Sequence, residues 1–311
     1  MSFAAVFPGQ GSQSVGMVSE LAASSEAAAR TFAEADDALG FGLRELIAEG
    51  PAEELGRTEN TQPALLAAGI AVWRAWEEAG GPRPAALAGH SLGEYTALVA
   101  AGAMDFAAAL KLVRLRGRYM QEAVPAGEGA MAAVLGLDAE TVGQLCADAV
   151  ADGLASPANI NAPEQIVIAG DRAAVEAASR LAQEAGAKKV VALNVSAPSH
   201  CALMRPAADR LGQALADVEL RRPAIPVVNN ADVAAPEDPE AIRDALVSQL
   251  TSPVRWVEVV RSLKQNYGVT QLAEFGPGRV LSGLTRRIDR SLKALPVNDP
   301  ENLKAALEAL A

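Results

Sequence analysis

A serine between two glycines, at the junction of an apolar segment and a helical one, restricts most what this chain can fold into. Residues 89–93 read Gly-His-Ser-Leu-Gly, the apolar run Ala85–Ala88 precedes them, and Leu92–Ala100 has a helical composition. A strand, a sharp turn and a helix in this order form a nucleophile elbow, which exposes a serine hydroxyl at the end of a strand. An ordinary strand-to-helix turn with a capping serine would have the same sequence. The chain is therefore predicted to be an α/β protein with Ser91 as its candidate nucleophile.

The chain up to residue 126 and from residue 196 onward alternates strands with helices. Asn60 or Thr61 is predicted to cap a helix that has Pro63 in its first turn and runs to about Ala79. These two stretches, 1–126 and 196–311, are predicted to form one large α/β subdomain. Its other elements are predicted strands over Phe3–Phe7, Pro226–Asn229 and Gln271–Phe275, and helices over Ser25–Leu39 and Phe106–Ala123, the latter capped by Asp105.

Residues 127–195 have a different order of elements, which predicts an inserted small subdomain. The order strand, helix, strand, strand, helix, strand is the ferredoxin-like signature. The predicted strands are Ala130–Leu135, Ala158–Ala162, Gln165–Ala169 and Lys188–Leu193, and the predicted helices are Ala139–Ala149 and Arg172–Ala185.

Composition excludes several classes of function. The net charge of −11 argues against a broad nucleic-acid-binding surface. There is no apolar run of 18 residues and no basic signal-peptide start, so a soluble, cytoplasmic protein without membrane contact is expected. The two cysteines are too few for a disulfide framework. No metal-ligand, P-loop or dinucleotide-binding pattern is present, and no metal or cofactor is expected.

A serine needs a base to become nucleophilic, and this chain has only two histidines. His90 adjoins Ser91, and adjacent side chains on a tight turn diverge, so His200 is the candidate base. Ser199 is predicted to cap a helix that begins with His200, and Cys201 is interpreted as a small buried thiol. A lone histidine is more often structural than catalytic. No acid stands in a setting that would make it the third member of a triad, although a neutral group can also orient an imidazole.

Arg116 is a candidate carboxylate-binding residue. On the predicted helix Phe106–Ala123 it lies at the edge of the apolar stripe, whereas Arg114 and Arg118 lie toward the solvent side. A planar guanidinium binds a carboxylate through two parallel hydrogen bonds, which lysine cannot do. A structural salt bridge at the edge of the core is an equal alternative from geometry alone.

Taken together, these motifs resemble the malonyl-CoA:acyl-carrier-protein transacylases of fatty-acid synthesis, and the related acyltransferase domains of polyketide synthases share most of them. The resemblance covers nearly the whole chain. The segments that carry it are Phe7–Gln13, Thr61–Leu65, Gly89–Tyr95, Arg116–Gly117, Asn159–Pro163, Pro198–His200, Gln249 within Leu246–Pro253, and Gly276–Gly278.

The resemblance implies a fold and a set of roles. The fold would be a hydrolase-like parallel-sheet core with an inserted ferredoxin-like subdomain. Ser91 would carry the acyl group, His200 would act as base and then acid, and the region of Gln249 would orient His200. The backbone N–H groups of Gln10 and Leu92 would form the oxyanion hole. For substrate binding, Arg116 would pair with the malonyl carboxylate, and Asn161 belongs to a matching motif.

The resemblance also implies partners and leaves rivals open. Malonyl-CoA would donate the acyl group, and the phosphopantetheine thiol of an acyl carrier protein would receive it, with the enzyme itself a monomer. Lys188-Lys189 and Arg286-Arg287 with Arg290 are candidate docking patches, although such charges are commonly just solvated surface. A serine hydrolase or thioesterase, and a carrier-binding module without activity, are the rival functions. Preference for malonyl over methylmalonyl would depend on the pocket near Ser199.

Overall fold

The strand that precedes Ser91 lies inside a parallel sheet. The structure is a computed structural model that describes residues 2–195 and 197–311, and these residues contain nine strands. The strands are β1 (Phe3–Phe7), β2 (Ala86–Gly89), β3 (Gly129–Leu135), β4 (Ala155–Ala162), β5 (Gln165–Asp171), β6 (Lys189–Ala192), β7 (Val227–Val228), β8 (Gln271–Phe275) and β9 (Lys293–Val297).

Helices cover both faces of this sheet and one face of a second one. The described residues form fourteen α-helices. They are α1 (Ser19–Ser24), α2 (Glu26–Leu39), α3 (Leu43–Glu49), α4 (Ala52–Gly56), α5 (Thr58–Glu78), α6 (Gly93–Ala100), α7 (Phe106–Glu122), α8 (Ala139–Asp148), α9 (Arg172–Glu184), α10 (Arg205–Ala216), α11 (Pro239–Gln249), α12 (Trp256–Tyr267), α13 (Val280–Ile288) and α14 (Pro300–Leu310).

The parallel sheet has the order β7-β2-β1-β8-β9, with β1 at its centre. All five residues of β1 are buried, as expected for a strand covered on both faces. Phe7 at the end of β1 is in register with Gly89 at the end of β2. The loops that follow these two strands therefore leave the sheet side by side, and they carry Gln10 and Ser91.

The second sheet is antiparallel, with the order β4-β5-β3-β6. Helices α8 and α9 pack on it around Val134, Val142, Ile168 and Val175. Together with the parallel sheet, this arrangement confirms the predicted fold class, an α/β core with an inserted ferredoxin-like unit. The unit runs from Gly129 to Ala192. The predicted limits at residues 127–195 remain a prediction, and Met1 and Ser196 lie outside the described residues.

A backbone ladder ties the small unit to the large one. Asn159 in β4 forms an isolated parallel bridge with Val254, which precedes α12. The Ile160 N–H donates to the Val254 carbonyl at 2.9 Å, and the Val254 N–H donates to the Ala158 carbonyl at 2.9 Å. These bonds hold the small sheet against the carboxyl edge of the large one.

The predicted start of the helix that contains Pro63 is wrong. Helix α5 begins at Thr58, with Arg57 as its cap, so that Pro63 lies within the helix. Asn60 and Thr61, which predicted a cap, instead donate from their side chains to the carbonyls of Glu54 and Leu55 in the preceding helix. The other predicted elements, apart from the helix expected at His200, differ by a few residues at their ends. Strand β9 and helices α1, α3 and α4 were not predicted. Each helix in the described part of the chain is too short or too polar to span a bilayer.

We expect Gly93→Ala to destabilise the fold, because an added Cβ would lie 2.1 Å from the Phe7 carbonyl oxygen, which belongs to the central strand. The expected loss in unfolding free energy is about 1–3 kcal/mol, measured by denaturant titration. Gly283→Ala is the matched control, since a Cβ added to Gly283 in α13 would enter open space. This change should stabilise by about 0.5–1 kcal/mol. Equal effects at both positions would contradict the close approach of Gly93 to β1.

Candidate active site

The turn that carries Ser91 is formed by backbone packed on backbone. Ser91 has a φ of 52°, in the left-handed region that residues other than glycine seldom adopt. A Cβ on Gly89 would lie 1.8 Å from the carbonyl carbon of Gly93, and one on Gly93 would meet the backbone of Phe7. Glycine at both positions lets the turn pass this close to β1 and leaves the serine side chain above the end of β2.

His200 contacts the Ser91 hydroxyl directly. Its Nε2 lies 2.7 Å from Ser91 Oγ, and its Nδ1 lies 2.8 Å from the main-chain oxygen of Gln249. Because a carbonyl oxygen only accepts hydrogen bonds, Nδ1 carries the proton and Nε2 presents its lone pair to the serine. A main-chain carbonyl thus fixes the tautomer that an aspartate fixes in a Ser-His-Asp triad.

The prediction that His200 begins a helix capped by Ser199 is wrong. His200 has a φ of 61°, which a right-handed helix does not contain. A 3₁₀ turn over Ala202–Met204 follows, and α10 begins only at Arg205. The left-handed bend at His200 separates the residue from the helix and leaves its imidazole in contact with Ser91.

Burial keeps the imidazole of His200 neutral. The residue is 4% exposed. Burial, and after it the positive charge of Arg116, lowers the pKa of His200 to about 3. The ring is therefore unprotonated throughout the neutral pH range, with a lone pair on Nε2 that can accept a proton.

Arg116 brings a buried positive charge to Ser91. The residue is 1% exposed. One terminal nitrogen donates to Gln62 Oε1 at 2.9 Å. The other donates to Gln249 Oε1 at 3.0 Å and to Ser91 Oγ at 3.3 Å. These partners are neutral, and the Arg116 Nε–H is buried with no hydrogen-bond partner in residues 2–195 and 197–311. A guanidinium in this state interacts strongly with any carboxylate that enters the cavity.

Gln10 and Leu92, the predicted oxyanion donors, line the same cavity as Ser91. The Leu92 N–H stands at the amino end of α6, where backbone donors point out of the helix. The Gln10 side chain donates to Thr58 Oγ1 at 3.3 Å, which holds the loop after β1. In the part of the chain that the structure describes, neither backbone N–H forms a hydrogen bond.

Asn161 is not brought to Ser91. Its Oδ1 lies 2.7 Å from Nε2 of His90, and the His90 ring packs on Trp256 at a centroid distance of 5.6 Å. The residue of β4 that lines the cavity is Asn159. A part for Asn161 in substrate binding stays a prediction, and the contact it makes in this structure is with the side chain that adjoins the nucleophile.

The cavity above Ser91 lies between the two units and has a volume of about 130 Å³. Met131 lines it from the small unit, Leu193 and Val195 line it from the segment after β6, and Met120 lines it from α7. The site is thus a narrow, mainly apolar slot with Arg116 and the Ser91–His200 pair at its base.

Glu94 and Asn230 were not predicted from the sequence. Glu94 is 2% exposed, and burial raises the pKa of its carboxyl group to about 7. Asn230 is fully buried, and its Oδ1 accepts a hydrogen bond from the Ser91 N–H at 2.6 Å. Glu94 follows the elbow directly, which was the available signal, whereas Asn230 lies far along the chain with no local pattern around it.

The two predicted basic patches meet at one groove. Lys188 from the small unit and Arg286, Arg287 and Arg290 around the end of α13 line a cavity of about 710 Å³. Ala162, which follows Asn161 in β4, lines it as well. The end of β4 therefore contacts His90 through Asn161 and lines this groove through Ala162. Lys189, the remaining residue of the first patch, is exposed but does not line the groove.

A parallel α/β sheet that ends in a strained serine, a neutral histidine and an acyl-sized cavity defines an acyltransferase that depends on a serine. Comparison with known proteins agrees with this class. The acyl transferase domain family matches residues 5–284. The malonyl CoA-acyl carrier protein transacylase of Escherichia coli (strain K12) is 53% identical over 306 residues, which cover 98% of this chain and 99% of that protein.

Solved structures give the same result. An acyl carrier protein S-malonyltransferase from Vibrio cholerae is 55% identical, with a TM-score of 0.96 over 98% of this chain and 99% of that one. A malonyl-transacylase solved in complex with its type II polyketide synthase acyl carrier protein is 53% identical, with a TM-score of 0.98 over 99% of this chain and 100% of that one. This chain therefore belongs to the malonyl-CoA:acyl-carrier-protein transacylases, and the resemblance stated from its motifs is confirmed.

We expect His200 to stay neutral when the pH is lowered from 8 to 5, because its pKa of about 3 lies below this range. The chain has two histidines, so their ring resonances can be followed by NMR titration. Burial lowers the pKa of His90 too, so its ring should titrate below its ordinary range. Arg116→Ala should raise the pKa of His200, since it removes a positive charge that disfavours protonation. A wild-type His200 that titrates near pH 6.5 would contradict this account.

Proposed function

We propose that this chain transfers the malonyl group of malonyl-CoA to the phosphopantetheine thiol of an acyl carrier protein, in two steps through an ester on Ser91. The observation that carries the proposal is the guanidinium of Arg116, buried 3.3 Å from Ser91 Oγ with an unpaired N–H in the described structure. An acyl group that ends in a carboxylate supplies the anionic hydrogen-bond partner that this guanidinium lacks. A neutral acyl group would leave the cation with neutral hydrogen-bond partners only.

In the first step, Ser91 Oγ attacks the carbonyl carbon of the thioester while His200 Nε2 takes the hydroxyl proton. The N–H groups of Gln10 and Leu92 stabilise the oxyanion of the tetrahedral intermediate. The bond from carbon to sulfur then breaks, and the proton on His200 passes to the departing CoA sulfur. The product is a malonyl ester on Ser91, with its free carboxylate on Arg116.

In the second step the carrier thiol takes the place of the serine. His200 removes the proton of the thiol, the sulfur attacks the ester carbonyl, and the proton returns to Ser91 Oγ as the ester bond breaks. Water has to be kept from the ester for this step to give transfer. The narrow slot lined by Met120, Met131 and Leu193 supports such an exclusion. In a serine hydrolase, the rival function, the same guanidinium would bind the same acyl group, so it is the exclusion of water that favours transfer.

The proposal is tested with malonyl-CoA labelled in the malonyl group. Label should appear on Ser91 as an ester, be absent in Ser91→Ala, and move to the carrier protein when holo acyl carrier protein is added. Rapid release of free malonate without label on the carrier would overturn transfer in favour of hydrolysis. Label that reaches the carrier without a serine ester would overturn the two-step mechanism.

Arg116→Ala provides the matched specificity test. The variant should lose about 100-fold or more in the acylation rate with malonyl-CoA, because a charge-assisted, bidentate contact is removed. Acetyl-CoA has no carboxylate, and its acylation rate should be retained or should rise. Single-turnover acylation with both substrates measures the ratio. An equal loss with both substrates would make Arg116 a structural residue.

We propose that the acidic carrier docks at the basic groove. The similar malonyl-transacylase was solved with its carrier protein bound. In the present chain, Arg286, Arg287 and Arg290 are exposed and form no ion pair within the described residues, and Lys188 is paired with Glu164 at 2.8 Å. The groove therefore supplies exposed positive charge that an acidic carrier protein can contact.

Replacement of Arg286 and Arg287 by glutamate should raise the KM for holo carrier protein about tenfold and weaken its salt dependence. The rate of Ser91 acylation by malonyl-CoA should not change. The control is the same double replacement at Arg221 and Arg222, an exposed adjacent pair that does not line the groove. An equal increase in KM for both double variants would place the docking site elsewhere.

Three further properties belong to the same proposal. The reaction requires no metal or cofactor, because Ser91, His200 and Arg116 supply the nucleophile, the base and the positive charge. The enzyme acts as a monomer, a proposal supported by the contacts of Ser91 with His200 and Arg116, which one chain forms without a partner. It works in the cytoplasm, in agreement with the free buried thiols Cys146 and Cys201.

A further inference from the structure

Both backbone polar groups of Ser91 are held by buried side chains from distant parts of the chain. The Ser91 N–H donates to Asn230 Oδ1 at 2.6 Å. The Ser91 carbonyl accepts from Gln249 Nε2 at 3.1 Å. Because the positive φ of Ser91 is unfavourable for a residue with a side chain, this conformation persists only where its surroundings enforce it.

One oxygen atom joins these two side chains. Oε2 of Glu94 accepts from Gln249 Nε2 at 2.8 Å and from the Asn230 N–H at 2.8 Å. Asn230 is fixed further by a hydrogen bond from its Nδ2 to the Gly89 carbonyl at 2.7 Å. Glu94 itself is anchored in α6, the helix that begins directly after the nucleophile. The result is a closed ring of contacts from the elbow through Asn230, Glu94 and Gln249 back to the elbow.

This closed ring of hydrogen bonds also includes contacts to His200 and Arg116, the two groups that act on the substrate. The Gln249 main-chain oxygen receives the Nδ1–H of His200, and its side-chain oxygen receives an N–H of Arg116. A displaced Gln249 would therefore change the base and the carboxylate contact as well as the serine. The loop that supplies Asn230 is strained in its own right, with a φ of 59° at Val233.

We propose that Glu94 is the positioning residue of this site: its Oε2 ties Asn230 to Gln249 and thereby holds Ser91 in the conformation that reacts. The inference rests on the proposed function only in that Ser91 is the nucleophile. Glu94 acts through hydrogen-bond acceptance by a single oxygen. The amide oxygen of glutamine can replace that atom, and the second oxygen of Glu94 accepts no hydrogen bond from the described residues.

The test compares Glu94→Leu, which removes the acceptor, with Glu94→Gln, which retains it and removes the charge. The readout is the single-turnover rate at which Ser91 reacts with a fluorophosphonate probe, which has no carboxylate and needs no carrier protein. In Glu94→Leu this rate should fall about 100-fold, and in Glu94→Gln it should stay within about threefold of wild type. Loss of the reaction in Ser91→Ala shows that the probe reports on the nucleophile.

Glu274→Leu is the matched control. Glu274 is also a fully buried glutamate, and it accepts hydrogen bonds from the Leu281 and Ser282 N–H groups at the start of α13. This variant should lower the melting temperature and leave the probe rate of the folded fraction unchanged. Rates are normalised to folded protein by circular dichroism.

The outcomes separate clearly. The proposal is overturned by any of three results: a folded Glu94→Leu with the wild-type probe rate, a Glu94→Gln as slow as Glu94→Leu, or an equal loss of rate in Glu274→Leu.

If Glu94→Leu does not fold, Asn230→Leu decides in its place, since it removes the acceptor of the Ser91 N–H. The probe rate of Asn230→Leu should fall by a similar factor. The double variant with Glu94→Gln should react no more slowly than Asn230→Leu alone. A normal rate in folded Asn230→Leu would overturn the proposal. Failure of wild-type Ser91 to react would instead refute the proposed function.

Discussion

The site depends on the parallel pairing of β1 with β2 and on the contact of Gly93 with the Phe7 carbonyl. Register between Phe7 and Gly89 brings the loops after both strands to one edge of the sheet. Because Gly93 has no Cβ, helix α6 can begin directly against β1. The Leu92 N–H and the loop of Gln10 then face the same cavity as Ser91. The geometry of the site thus depends on the register between two buried strands.

The buried charge of Arg116 lowers the stability of the fold. Moving a guanidinium out of water without a carboxylate partner opposes folding, and two glutamine amides and a serine hydroxyl compensate only in part. The same charge lowers the pKa of His200 and keeps the base deprotonated. One buried cation thus has two effects: it lowers the pKa of His200, and in the proposed function it binds the carboxylate of the acyl group.

Much of the fold and part of the site could be predicted from sequence, for physical reasons. Alternating strand and helix patterns and the order of elements in residues 127–195 are local signals, and they identified both sheets. The glycines around Ser91 are a local signal too, and the scarcity of histidines singled out His200. Local signals failed where contacts outside a single helical turn or an unusual backbone conformation decided the structure. The hydrogen bonds of Asn60 and Thr61 to the preceding helix moved the start of α5, and a left-handed backbone at His200 excluded the expected helix. Asn230 could not be found because only the closed fold brings it to Ser91.

The ladder between Asn159 and Val254 makes the small unit an incomplete module. A strand edge of the insertion is paired with main chain that arrives more than fifty residues after the insertion has ended, as the sequence positions show. A chimera that exchanged residues 127–195 between two relatives would graft a sheet without the backbone that covers its edge. For such an exchange to keep the cavity, the segment around Val254 has to be exchanged together with residues 127–195. The structural unit therefore consists of two separate pieces of the chain.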